Sequence, residues 1–562
     1  MESAAARHGS EEQMTKNRRT FEFAARQAMK ARTKGELEDS AEWCSVAASF
    51  ARHSHPGFFV DDTIQKILQD IGHSIDVEAN ASISSENRPN GIKSLRILHV
   101  MTSALPIGGH TRAVSRWIQN SRETYPGQIH ELVITNQGIT EVPRWLMDAV
   151  RESGGECKII RPGHSLVGVA EELRKYSQQG FDIIVSHVNP NDPVSAMAFS
   201  GGNLKTPILL FNHADHVFST ATSVADVILD FRLSGKRITE TRRGGKGRSM
   251  LLPIPLVDPM KEIGAISFQG RNALRREARE RLGLSKDEPI ALTIGGGSYK
   301  YKPALGYDFL RTASKILASV RSANVFAVGL PKDQGLTQSY PDLGERFHAL
   351  GVVDDSHLRD HLISADVFLE VFPFSSLTAM LEAGLYGLPM QRIRNERAPI
   401  LSGDDVSLDP VVPVAASEEE YVEGATRLLL SDSEDRHELG QRIRNSVLSN
   451  HCGAAWETKW LEPAVRAALA RKDERTNETA AALREEPPSE ECIELVEWER
   501  TLFPDSLLGL LGMFHSVSSR VKWPILLHSI VHFEPLLRSY LKSPRGLPIK
   551  ALIGMSARFL SK

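Results

Sequence analysis

The sequence predicts an α/β protein in which two doubly wound, Rossmann-like domains face each other across a cleft. Short apolar runs alternate with amphipathic helices in two consecutive series, at 95–260 and 261–471. The runs lack polar alternation, which is typical of strands buried on both faces of a parallel sheet. A chain of 562 residues is also long enough for two or three domains rather than one core.

The composition is that of an ordinary globular protein, with 41% hydrophobic residues, 24% charged residues and a formal net charge of -3. This near-neutral balance argues against nucleic-acid binding as the main function, because that needs a large basic surface. The cysteines form no C-x-x-C pair, so neither a zinc site nor a disulfide framework is predicted and a reducing cytoplasm is expected. The polar N-terminus does not resemble a signal peptide, and no apolar run predicts a transmembrane helix.

The chain is predicted to begin with a helical segment at 15–75, because apolar residues recur there at helical spacing. A polar, turn-rich linker follows at 76–94. The first series then predicts strands, separated by helices, at 96–102, 130–136, 157–162, 182–190, 207–213, 226–232 and 249–259.

The second series has the same alternation and forms the second predicted domain. A charged linker at 472–492 and a basic amphipathic tail at 493–562 follow it. Its strands are predicted at 289–298, 324–331, 346–353 and 366–373, followed by the runs "LPMQRI" and "DPVVPV".

In doubly wound sheets, ligands bind beyond the carboxyl ends of the strands. Strand one is followed by Gly108 and Gly109, which allow a ligand to approach the backbone closely. Strand five is followed by His213, Asp215 and His216. Histidine is the natural general base near neutral pH, so these three residues are the predicted catalytic group. No H-E-x-x-H pattern accompanies them, and no metal site is predicted.

Two further loops carry basic residues. The loop after strand six contains Arg242 and Arg243, which we interpret as part of a solvated basic loop. The first strand of the second series runs into glycines followed by Ser298, Lys300 and Lys302. This pattern suits a phosphate-bearing ligand, although it is not a Walker A loop.

The stretch "PFSSLTAMLEAGLYGLP" at 373–389 predicts a helix with an apolar stripe and a polar side. Ser375 or Ser376 is expected to cap the helix and leave its N-terminus open to an anion, with Thr378 on the same side. Glu382 lies seven residues beyond Ser375, about 10 Å along the axis at ~1.5 Å per residue. That spacing fits a diphosphate at the helix tip and a ribose hydroxyl on the carboxylate.

At this point the residues resemble a known family, the GT-B glycosyltransferases, particularly those of bacterial polysaccharide synthesis. The resemblance covers about 95–470 and includes "GGHTR" and "NHADH" in the acceptor-side loops. "GGGSYKYKP" is similar to the loop that carries the family's diphosphate-binding lysine, which matches Lys302 here. The family's donor motif E-G-F-G-L-x-x-L-E-A-x-A-x-G-x-P matches "FSSLTAMLEAGLYGLP" at Glu382, Ala383, Gly387 and Pro389.

One departure from the family pattern is important. The first motif glutamate, which usually touches the donor sugar, is replaced by Phe374, and the glycines after it by Ser375 and Leu377. The serine- and threonine-rich version is similar to the O-GlcNAc transferase-like branch, which is inverting and has N-terminal helical repeats. The sequence therefore leaves the stereochemistry and the donor sugar open.

The resemblance implies a nucleotide-sugar-dependent hexosyltransferase with a glycan, lipid-linked or protein acceptor. A UDP-sugar is favoured as donor only because UDP is the commonest carrier. The resemblance also implies donor contacts from Gly108, Gly109, Ser298, Lys302, Ser375, Ser376, Thr378 and Glu382, and no metal or other cofactor. Two alternatives stay open: a sugar-nucleotide epimerase of the same fold, and a degenerate binding protein. The basic, apolar residues beyond about 505 predict peripheral attachment to the cytoplasmic face of a bacterial membrane, with packing on the catalytic domains or self-association as the alternative.

Overall fold

The fold is taken from a computed structural model, which places most of the two series and the helices around them. The predicted linkers and the tail beyond 505 lie largely outside the described residues. The structure describes residues 2–77, 91–160, 165–201, 204–261, 267–332, 334–471, 489–502, 518, 520–522 and 524–525.

Three helices open the chain: α1 (Glu2–Thr33), α2 (Leu37–His53) and α3 (Asp62–Ser74). They share one apolar core with a face of the first sheet. Phe21 on α1 packs against Phe58 and Phe218, with ring centroids 5.0 and 5.3 Å apart. The N-terminal helices are therefore part of the first domain rather than an appendage to it.

The first sheet contains seven parallel strands in the order β3-β2-β1-β4-β5-β6-β7. The switch of direction lies between β1 and β4, which is where doubly wound sheets bind ligands. The strands are β1 (Arg96–Met101), β2 (Ile129–Ile134), β3 (Cys157–Ile159), β4 (Ile183–His187), β5 (Ile208–Asn212), β6 (Val227–Asp230) and β7 (Ser249–Leu251). The helices between them are α4 (Gly109–Thr124), α5 (Arg144–Glu152), α6 (Leu166–Ser177), α7 (Val194–Phe199) and α8 (Leu233–Arg242).

The second sheet repeats this arrangement in the order β10-β9-β8-β11-β12-β13. Its switch point lies between β8 and β11. Its strands are β8 (Ile290–Ile294), β9 (Asn324–Val328), β10 (Phe347–Gly351), β11 (Val367–Leu369), β12 (Met390–Ile393) and β13 (Val414–Ala415). Its helices are α9 (Phe268–Arg281), α10 (Phe309–Ser319), α11 (Gln334–Ser339), α12 (Asp355–Ser364), α13 (Leu377–Leu385), α14 (Glu418–Leu430) and α15 (Ser433–His451). The predicted fold class, two Rossmann-like domains, is confirmed.

After the second sheet the chain returns to the first domain through α16 (Gly453–Trp456) and α17 (Glu462–Arg471). Trp456 is buried there against Trp117, with ring centroids 5.4 Å apart, and its indole N–H donates to the Pro253 carbonyl at 2.7 Å. A last described helix, α18 (Glu490–Leu502), follows. Within the described ranges, no helix is both long and apolar enough to cross a membrane.

A row of three buried histidines crosses the first sheet. His99 on β1 contacts His187 Nε2 through Nδ1 and His130 Nδ1 through Nε2, both at 3.0 Å. A neutral imidazole has one donor and one acceptor, so neutral rings satisfy both contacts within the row, while His130 Nε2 and His187 Nδ1 at its two ends are buried without partners among the described residues. Burial lowers the pKa of His130 to about 3 and lowers those of His99 and His187 as well.

The buried histidine row predicts that the free energy of unfolding decreases as the pH falls below 6.5. The unfolded chain binds a proton at His130 near pH 6.5, whereas the folded chain binds none until pH is far lower, so His130 favours folding above pH 6.5. As pH falls below 6.5, the unfolding free energy of the wild type should drop relative to His130→Gln by about 1.4 kcal/mol per pH unit. Urea unfolding of both proteins from pH 7 to pH 4.5 measures this difference. Parallel curves would contradict it.

Candidate functional site

The carboxyl ends of the two sheets meet across the cleft. The loop after β1 lies directly against the N-terminus of α13: a β-carbon added at Gly109 would lie 3.3 Å from Thr378 Oγ1. Gly108, just before it, has a φ of 126°, a conformation that side-chain-bearing residues rarely adopt. The structure thus brings together the two predicted glycines and Thr378.

Glu382 has a partner that the sequence did not predict. Arg116 on α4 of the first domain donates to its carboxylate, in an ion pair whose side chains are only 18% and 23% exposed. A second, exposed pair joins Arg112 to Asp355 at 2.9 Å. Helix α4 is thereby held across α12 and α13. In this structure the Glu382 carboxylate therefore contacts protein, and its predicted role on the ribose stays a prediction.

The prediction that a serine side chain caps α13 is wrong. The helix begins at Leu377, and its N-cap residue Ser376 makes no side-chain capping hydrogen bond. The Ser376 hydroxyl is buried without a hydrogen-bond partner among the described residues. Ser375 acts through its backbone: its N–H donates to the Leu401 carbonyl at 2.9 Å, and its carbonyl accepts a hydrogen bond from Lys300.

Lys300, not Lys302, is the lysine that the structure buries in the cleft. Its ammonium donates to the Ser375 carbonyl at 2.6 Å and lies 3.4 Å from the centroid of the Phe374 ring. Its pKa is lowered to about 7, mainly by burial and also by nearby Arg232, whereas Glu370 opposes the shift. Lys302 and Ser298 are both exposed, so neither is buried in the cleft beside Lys300.

The geometry of the glycine loop explains this choice of lysine. The loop ends in a single 3-10 turn, Ser298–Tyr301, and the Tyr301 hydroxyl donates to the Val328 carbonyl at 2.8 Å. A β-carbon at Gly295 would lie 2.5 Å from the Tyr301 ring, so glycine is needed where the ring packs. With Tyr301 turned into the core, Lys300 turns towards the cleft.

Asp215 is fully buried and is held by Arg232. The guanidinium donates to both carboxylate oxygens, at 2.7 and 2.8 Å. Although burial opposes it, this pairing holds the pKa of Asp215 well below its usual range. Arg232 also donates to the Ser402 carbonyl of the second domain at 2.5 Å. The pair therefore links the two domains, and a catalytic role for Asp215 stays a prediction.

The interpretation of Arg243 as part of a solvated loop is wrong. Its side chain is buried and donates to the Asn212 side chain and to the carbonyls of Asp215 and Val217. These bonds fix the loop after β5, which carries the predicted histidines. A guanidinium with several fixed donors is suited to this task because each bond constrains a different part of the loop.

The two predicted histidines have different surroundings. His213 stacks on His110, with centroids 3.8 Å apart and planes 10° apart. Desolvation lowers the pKa of His110 to about 4 and also lowers that of His213. Both rings are neutral at pH 7, and His110 Nε2 and His213 Nδ1 are buried without hydrogen-bond partners in the described part of the chain. His216 instead contacts Phe374, with centroids 5.0 Å apart.

Besides Arg116, sequence reasoning missed His110 and Glu370 in this cleft. His110 directly follows the two glycines, and that adjacency was an available signal. Glu370 follows β11 and is 2% exposed, and its Oε2 accepts a hydrogen bond from Ile393 N–H at 3.2 Å. Burial raises its pKa. A lone acid at the end of an apolar run was the signal for Glu370. Among the described residues, no group of three or more His, Cys, Asp or Glu could hold a metal ion.

Comparisons with known proteins give only distant structural likenesses. No family model matches the chain, and no curated protein matches it. Among solved structures, the chain is similar to a mutant O-GlcNAc transferase of Thermobaculum terrenum, with 15% identity and a TM-score of 0.48, over 81% of this chain and 83% of that one.

Two further structures cover nearly all of the other chain. HepE of Anabaena, in complex with UDP and glucose, is 12% identical with a TM-score of 0.47, over 66% of this chain and 99% of that one. Sucrose-phosphate synthase of Thermosynechococcus elongatus is 15% identical with a TM-score of 0.44, over 67% and 99%. The assignment of two Rossmann-like domains rests on the strand order of this chain itself, because likenesses this distant carry no argument.

The buried pair predicts a stability effect at Asp215. Asp215→Asn removes the carboxylate that is hydrogen-bonded to the buried Arg232 guanidinium, which should lower the free energy of unfolding by about 3–5 kcal/mol. Asp355→Asn is the matched control, because that carboxylate is 77% exposed in its ion pair and should contribute less than about 1 kcal/mol. Denaturant unfolding at pH 7.5 measures both. Equal, small effects would show that the pair does not hold the domains together.

Proposed function

We propose that the protein is a nucleotide-sugar-dependent glycosyltransferase. The observation that carries this proposal is that two groups face the same cleft. Lys300 and the N-terminus of α13 lie on the side of the second domain, and the His110–His213 stack lies on the side of the first. These groups meet where the switch points of two doubly wound sheets face each other. A cation and free helix N–H groups suit a diphosphate, and neutral imidazoles suit a hydroxyl acceptor.

The leaving group determines the roles in the second domain. As the bond from the anomeric carbon to the diphosphate oxygen breaks, negative charge develops on the diphosphate. Lys300 and the first N–H groups of α13 stabilise that charge in a water-poor site, where fixed donors act most strongly. Ser376 and Thr378 lie at the same helix tip and supply hydroxyl donors.

The acceptor determines the roles in the first domain. The acceptor oxygen attacks the anomeric carbon and loses its proton, so a nearby group must take that proton. His213 or His110 does so, because each has a neutral ring with a buried nitrogen that has no partner in the described structure. Asp215 positions His216 and the loop through Arg232. A hexose donor carried on UDP and a glycan, lipid-linked or protein acceptor complete the proposal.

The donor role of Lys300 predicts a selective loss of nucleotide affinity. Lys300→Ala should raise the Kd for UDP by about 10- to 100-fold, since a hydrogen bond to a charged group contributes about 1.5–3 kcal/mol. Lys302→Ala is the matched control and should change the Kd less than about threefold. Isothermal titration with UDP and GDP measures both, and incubation with the sugar nucleotide alone separates transfer from epimerisation. Equal effects of the two substitutions would overturn the assignment.

The lowered pKa adds a pH signature to the same assay. Only protonated Lys300 attracts a diphosphate, and its pKa in the unliganded protein is about 7. UDP affinity should therefore fall as pH rises from 7 to 9, by up to about tenfold per pH unit. In Lys300→Arg the guanidinium stays charged over this range, so the slope should disappear. A slope that persists would assign the titration to another group.

We also propose peripheral attachment to an anionic membrane surface on the cytoplasmic side, through residues beyond about 505. The support is the sequence alone, in which basic and apolar residues are mixed and prolines interrupt every long apolar run. The full chain should co-sediment with anionic liposomes, whereas a chain ending near Ala470 should not. Equal binding by both chains, or by neither, would contradict the proposal.

A further inference from the structure

Helix α18 lies beside the cleft and packs on both domains and on the N-terminal helices. Its buried residues Leu495 and Val496 belong to one apolar cluster with Met14 of α1, Ile238 of the first domain and Leu401 of the second. A helix that contacts three separate parts of the chain restrains their relative positions. Because α18 follows both sheets in sequence, it is not needed to complete either of them.

Trp498 joins α18 to the proposed site. Its ring contacts Phe374 and His216, with centroids 4.7 and 5.9 Å apart. Phe374 in turn covers the Lys300 ammonium at 3.4 Å. The three contacts form a continuous layer from α18 to the proposed diphosphate-binding lysine, which is only 7% exposed.

Ion pairs fasten α18 to both sides of the cleft. Glu491 accepts hydrogen bonds from Arg237 of the first domain, at 2.6 and 2.8 Å, and lies 3.4 Å from the Ile400 N–H of the second. Glu494, which is 1% exposed, pairs with Arg397 of the second domain. Glu499 accepts a hydrogen bond from the His55 N–H at 2.6 Å. Three acidic residues at three positions therefore fix the helix along its length.

We infer that α18 is an inhibitory strap: in the state seen here it holds Phe374 over Lys300, and it must move away before a nucleoside diphosphate can bind there. The inference rests on the proposed function, since it takes Lys300 as the diphosphate-binding lysine. In this state the Lys300 ammonium is covered by the Phe374 ring and bonded to the Ser375 carbonyl, so little of it is open to a diphosphate oxygen. Trp498 packs behind the ring and restrains it in this position.

Closure of α18 and binding of the nucleotide are then thermodynamically linked. If closing α18 weakens nucleotide binding by some factor, nucleotide binding must favour the open helix by the same factor. Weakening the closed state should therefore tighten binding without any new contact to the ligand.

The test measures UDP affinity and hydrogen exchange in the full-length protein. Trp498→Ala should lower the Kd for UDP at least tenfold, whereas the Kd of Trp498→Phe should stay near that of the wild type. In the wild type, UDP should increase hydrogen exchange in the peptide 489–502. Trp460→Ala is the control for loss of a partly buried tryptophan elsewhere and should leave the Kd unchanged. Arg397→Gln breaks the ion pair that holds Glu494 of α18 and should also lower the Kd for UDP. Because Arg397 is about half exposed, this variant is expected to fold even if Trp498→Ala folds poorly.

Failure of the strap and failure of the proposed function give different results. If the wild type, Trp498→Ala and Arg397→Gln bind UDP with equal affinity, the strap inference is overturned and the proposed function is unaffected. Protection of 489–502 by UDP would do the same, because α18 would then help to build the bound state. If none of these proteins binds UDP or GDP, the proposed function fails and the inference fails with it.

Discussion

Arg232 is a charge buried between two domains, and much of the cleft is arranged around it. Only 3% of the residue is exposed, and a guanidinium removed from water needs its charge and its donors satisfied. Asp215 satisfies two donors from the first domain and the Ser402 carbonyl satisfies a third from the second. The approach of Asp215 requires glycine at 235, where a β-carbon would lie 2.4 Å from its Oδ2.

The close contact of the domains sets the chemistry of the groups in the cleft. Exclusion of water lowers the pKa of Lys300 and keeps His110 and His213 neutral near pH 7. Perturbed pKa values of this kind cluster at functional sites. The same burial limits access, so a protein tuned in this way also needs a motion that opens it. Helix α18 is the element placed to govern that motion.

The N-terminal helices and α18 form one structural support for the cleft. Glu499 of α18 meets the backbone after α2, and Met14 of α1 belongs to the same apolar cluster as Trp498. The core that α1–α3 share with the first sheet fixes this support to the strands that precede His110 and His213. Segments far apart in sequence therefore converge on one side of the proposed site.

The sequence alone determined the two sheets and the loops at their carboxyl ends, because strands buried on both faces appear as uninterrupted apolar runs. It also identified the glycine loop after β1, the loop of His213 and the tip of α13, since strand ends meet at one edge of a parallel sheet.

Only the tertiary structure decided which side chains enter the cleft. Lys300 and Lys302 are two residues apart, and the packing of Tyr301 turned the first inward. Arg116 reaches Glu382 from 266 residues away, and α18 is buried only because surfaces from both domains meet beneath it. The local pattern of apolar residues indicates which side chains are buried. The contacts between side chains across the cleft join residues that are far apart in sequence, so no short stretch of sequence predicts them.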